Sequence, residues 1–101
     1  MADKSLAGID KLIHEPARLK IMAQLYVIES ADFLFLMRQT GLTFGNLSAH
    51  LSKLETADYI EIEKEFVDKK PHTMLHLTNK GRDAFRKYLE NMKQVFDDLP
   101  T

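Results

Sequence analysis

The four histidines have the widest chemical repertoire in this 101-residue chain. His72 and His76 stand four apart in an alternating stretch, so their side chains share one face of a strand. Strand spacing separates them by about 13 Å, too far for a single metal ion, and no third ligand stands at metal-binding spacing. His14 and His50 lack carboxylates at ligand spacing. There is no cysteine, which removes thiolate nucleophiles, disulfides and cysteine-based metal centres. Gly8, Gly41, Gly45 and Gly81 are too scattered to cradle a phosphate, and no nucleophile stands beside a base. These patterns call for no metal and no cofactor, and the expectation is that the chain is not an enzyme. What remains is the chemistry of recognition, concentrated between Thr43 and His72.

Positioning those residues requires a helix, a turn and a hairpin. Leu6, Ile9 and Ile13 recur at helical spacing and predict a short first helix. Pro16 opens a second helix, where its missing N–H is not needed; it carries Leu19, Ile21, Met22 and Leu25 and fades near Glu29. Phe33 to Met37 is uniformly apolar. A short strand over Ala31 to Phe33 followed by a helix to Thr40 suits it, with core favoured over a ligand pocket as its surroundings. Gly41 then stands where a helix C-terminus wants a left-handed residue.

Thr43 is an N-cap with Asn46 three residues on, and Leu42 and Leu47 occupy the hydrophobic-staple positions. Leu47, Leu51 and Leu54 form the apolar stripe of a helix reaching Ala57. From Ile60 the period changes to two, and Ile60 and Ile62 alternate with glutamates. Val67 to His72 reads as a polar turn, and Thr73 to Leu77 as a returning strand with Leu75 and Leu77 inward. Thr78 caps a final helix with Phe85, Leu89, Met92, Phe96 and Leu99 in a heptad-like stripe.

Two helices around Gly41 have the outline of a helix-turn-helix, whose second helix enters the major groove of DNA. A plain helical hairpin shares that outline, so the pair alone leaves both readings open. The β-hairpin directly after it favours the first, because it places a basic turn beside the second helix. The expected fold class is mainly α with a small antiparallel β wing, a winged helix-turn-helix, in one domain over 1–101. Residues 14–80 form its core; 1–13 and 81–101 are helices for dimerisation.

Three segments carry a family resemblance: His14-Glu15-Pro16-Ala17-Arg18-Leu19-Lys20-Ile21-Met22, Gly41 through Leu54, and Leu77-Thr78-Asn79-Lys80-Gly81-Arg82. In order and spacing the chain resembles the winged-helix regulators related to the MarR and ArsR groups. The resemblance implies a homodimer built partly from terminal helices, repressor-type binding to double-stranded DNA, and room for a small-molecule effector that it does not identify. It also implies that Thr43, Phe44, Gly45, Asn46, Ser48, Ala49, Ser52 and Lys53 face DNA from the reader helix, and Lys69, Lys70 and His72 from the wing. Asn46 suits adenine or a phosphate, Lys53 a phosphate. His50 takes a structural role beside Leu51. Leu6, Ile9, Ile13, Phe85, Leu89, Met92 and Phe96 are the expected dimer seam.

Ala49 stands where relatives often carry a long basic residue, and the wing holds lysines beside Asp68 where relatives are rich in arginine. Net charge is −1. From Thr43 to Lys80 five lysines face six acidic residues. Such a balance predicts modest affinity and a shallow salt dependence, and it keeps open an alternative function, a winged-helix module for protein contacts. No apolar run reaches membrane-spanning length and no signal-peptide layout opens the chain, so a cytoplasmic location is expected.

Overall fold

A computed structural model describes residues 8–100. Among these, helix α1 spans Pro16–Ile28, strand β1 Ser30–Asp32, α2 Phe33–Thr40, α3 Phe44–Thr56, β2 Ile60–Val67, β3 Lys70–Leu77 and α4 Asn79–Asp97. The three strands form an antiparallel sheet in the order β1-β3-β2. Helices pack on its inner face around Ile21, Met22, Leu25, Leu36, Leu47, Leu54 and Leu75, all with no exposed surface. This is the winged-helix architecture the sequence predicts.

Each start is chemically marked. The Glu15 carboxylate accepts from the N–H groups of Ala17 and Arg18, with Pro16 in the first turn of α1. Asp32 caps α2 through Phe35 N (2.7 Å), Thr43 caps α3 through Asn46 N (3.2 Å), and Thr78 caps α4 through Gly81 N (2.9 Å). Gly41 closes α2 at φ 72°, a left-handed conformation that costs glycine nothing.

Three expectations need correction. Residues 9–13 are not a helix: Asp10 accepts from the N–H groups of Leu12 and Ile13 through its carboxylate, which holds the segment in turns. Local hydrogen bonding of this kind competes with helix. Leu6 lies outside the described residues. The short strand before α2 starts and stops one residue earlier than expected, because Asp32 pairs with Met74 while its side chain caps the helix. The hairpin turn is two residues, not six. Asp68 and Lys69 take φ of 52° and 66°, the pair of left-handed residues a tight two-residue turn requires. Lys70, Pro71 and His72 therefore belong to β3. Pro71 is tolerated there because β1 reaches only Met74 to His76, leaving β3 a free edge beyond.

The apolar run of α2 divides. Leu36 is buried, and Phe33, Phe35 and Met37 pack against the core from partly exposed positions. Leu34 is 54% exposed.

Candidate nucleic-acid interface

Helix α3 buries one stripe and displays the rest. Leu47, Leu51 and Leu54 are held in the core, so Gly45, Asn46, Ala49, Ser52 and Lys53 are exposed on the far side. Thr43 and Phe44 are exposed at its first turn; Ser48 is half-buried. The Phe44 ring is 67% exposed yet leans on Phe33 with ring centres 4.9 Å apart, so its direction is fixed from α2. The structure thus leaves Gly45, Asn46, Ala49, Ser52 and Lys53 on an exposed ridge of α3, with Ser48 set back toward the sheet. The Asn46 side chain is free of the cap, since its backbone N–H alone is used by Thr43.

The ridge is braced from α1. Arg18 donates through Nε to the Leu12 carbonyl (2.6 Å) and through Nη1 to His50 Nδ1 (3.1 Å). The Glu15 carboxylate lies 3.6 Å from the same histidine nitrogen and 3.8 Å from Arg18. Partial burial pushes the Glu15 carboxyl up, but the N–H donors of Ala17 and Arg18, with His50 and Arg18 nearby, outweigh it and hold its pKa below the usual value. His50 therefore ties the middle of α3 to the start of α1, the structural role expected of it.

A groove of about 480 Å³ separates α3 from the sheet. Phe44, Ser48, Ser52 and Glu55 line one wall, Ile62, Lys64, Thr73 and Leu75 the other. The wing continues past this groove to the Asp68–Lys69 turn, where Phe66 is 77% exposed. Lys69 and Lys70 are exposed at the tip. His72 is half-buried and sits 3.9 Å from Asp32, which ties it to β1.

Pleating sorts the wing's charges. Ile60 and Ile62 point inward, so Glu61, Glu63 and Glu65 occupy the outer face, and Lys64 the inner one at the groove. Half of the six acidic residues between Thr43 and Lys80 are thereby turned away from α3. Charge counted along the chain misses this partition, although the alternation that produces it is legible in the sequence.

Two seam expectations are corrected. Ile13 is fully buried and Phe85 is 3% exposed, both inside the chain's own core, so neither is available to a second copy. Ile9 packs against that core from a partly exposed position. Leu89, Met92 and Phe96 lie further along α4, where Leu89 and Phe96 are 43% and 62% exposed and Met92 is half-buried.

With this geometry, residues 17–96 match the winged helix DNA-binding domain family. The chain belongs to that family. The chain is 38% identical over 89 residues to an uncharacterised protein of Methanocaldococcus jannaschii, covering 88% of this chain and 97% of the relative. A transcriptional regulator homologue of Pyrococcus horikoshii superposes with TM-score 0.89 at 30% identity, covering 96% of this chain and all of that one. A MarR-family transcriptional regulator of Silicibacter pomeroyi shares the fold, with TM-score 0.69 and 21% identity over 86% of this chain and 57% of its own. The expected winged-helix DNA-binding family is the one matched. Family and fold are those of DNA-binding regulators rather than enzymes. No helix among the described residues is long and apolar enough to cross a membrane.

Proposed function

We propose that this winged-helix protein is a sequence-specific regulator that binds double-stranded DNA as a homodimer and represses by occluding a promoter. The observation that carries the reading is the exposed α3 ridge, held rigid by the Arg18–His50 brace and flanked by a wing tip bearing Lys69 and Lys70. Small side chains at Gly45, Ser48, Ala49 and Ser52 let the helix approach the groove closely. Asn46 is the residue on the ridge suited to bidentate pairing with adenine. Lys53, Lys69 and Lys70 supply phosphate contacts that position the protein without reading sequence. Two subunits joined through the exposed half of α4 would present their reader helices to successive major grooves of a pseudo-palindromic site.

Selection from a pool of random duplexes, followed by titration at two salt concentrations, tests this. An enriched palindrome is expected, with a salt slope of only a few phosphate contacts per subunit. Asn46→Ala should lower affinity by about tenfold or more and relax preference at one base position. Lys69→Gly with Lys70→Ala keeps the turn's backbone conformation and should weaken binding to all sequences alike. A folded dimer that retains no duplex would overturn the reading in favour of a protein-contact module.

A further inference from the structure

We propose that the outer face of the wing carries a divalent transition-metal site formed by Glu61, Glu63 and His76. The inference goes beyond DNA binding and does not depend on it. One ligand atom from each of the three side chains lies within 4.8 Å of the other two. His76 Nε2 is 2.8 Å from Glu61 Oε2 and 3.9 Å from Glu63 Oε1.

The backbone supplies the order. Glu61 and His76 are direct cross-strand partners, and Glu63 stands two residues on along the same face. His76 sits on the middle strand, paired also with Ser30 of β1, so its position is set from both sides. Spacing along one strand excluded a metal because it considered His72 with His76. The ligands come instead from across the ladder, a relation fixed by register.

Charge supplies the second observation. Among the described residues neither Glu61 nor Glu63 has a lysine or arginine partner; both converge on a single imidazole. A proton on His76 offsets one carboxylate and leaves the other uncompensated. A dication offsets both and takes the neutral imidazole as ligand, releasing whatever proton His76 carries. One nitrogen and two carboxylate oxygens suit zinc, with water in the remaining position. The half-exposed glutamates are free to close from their present separations to bonding distance.

Calorimetric titration of the untagged full chain with zinc chloride tests the site. One zinc per chain is expected, weakened at least tenfold by Glu63→Gln and by His76→Ala, and unchanged by His72→Ala. Among the described residues Glu63 pairs with His76 alone, so its replacement leaves the fold intact, which circular dichroism will verify. No saturable uptake, or uptake of equal strength in Glu63→Gln and His76→Ala, would overturn the proposal. No DNA enters this experiment, so its failure is distinct from failure of the regulator reading.

Discussion

The two halves of α4 carry one continuous heptad-like stripe and meet opposite fates. In the first half, Gly81 lies against the backbone of Tyr59. The Phe85 ring sits 5.0 Å from Tyr26 and 6.1 Å from Tyr88, and the Tyr88 hydroxyl meets His14 Nδ1 at 2.7 Å. In the second half, Leu89 and Phe96 are 43% and 62% exposed, and Leu99, just beyond the helix end, is 57% exposed. The first half completes the core of its own chain. The second offers an apolar surface that the proposed dimer would cover. Periodicity reports that a stripe exists; it carries no information on what lies opposite.

The largest effect should come from Gly81→Ala. A Cβ there would overlap the Tyr59 carbonyl oxygen and stand 2.7 Å from its carbon, and backbone cannot yield as a flexible side chain would. Loss of more than about 4 kcal/mol, read as failure to fold at room temperature, is expected. Normal stability would break the claim that this half is locked against the Tyr59 backbone between α3 and β2. Phe85→Ala should follow, costing about 3–5 kcal/mol in urea denaturation as a cavity opens between Tyr26 and Tyr88.

A smaller effect belongs to Tyr59, whose hydroxyl donates to the Asp10 carboxylate and whose carbonyl accepts from Thr78 N. Burial, with the hydrogen bond to Asp10 and its charge, pushes the Tyr59 pKa up to about 12. A raised pKa means the folded state favours the neutral phenol. That stability is fully present below the ordinary tyrosine pKa of about 10 and is lost as pH rises toward 12. Tyr59→Phe should cost about 1 kcal/mol at neutral pH and flatten the stability loss between those pH values relative to wild type. An identical alkaline profile in the variant would remove Tyr59 as its cause.

The smallest effect on the fold should be Phe96→Glu, within about 0.5 kcal/mol for the subunit, because the ring has little to lose. The same change should shift sedimentation from dimer to monomer. If it unfolds the chain instead, the second half of α4 is core after all, and the contrast with the first half disappears.

Much of this molecule is legible in its residues. Thr43, Thr78 and Asp32 mark helix starts because a short side-chain oxygen satisfies an N–H that the helix leaves free. The change of period at Ile60 marks the wing. The reader ridge follows from burial of Leu47, Leu51 and Leu54. Misreadings fell where a local feature competed with the pattern. Asp10 captured two backbone N–H groups and broke a helical spacing. Lys69 adopted left-handed backbone beside Asp68, a conformation aspartate tolerates but lysine does not advertise, so the turn was tighter than its composition implied.

The sequence by itself determined the order of elements, the faces they bury and the family they form, because caps, turns and periodicity act over a few residues. Tertiary structure alone decided which apolar residues close the chain's own core and which remain outside. It also brought Arg18 to His50, Gly81 to Tyr59, and Glu61 and Glu63 to His76. Those pairs are up to 32 residues apart, and their meeting depends on strand register and helix packing, which no local spacing encodes.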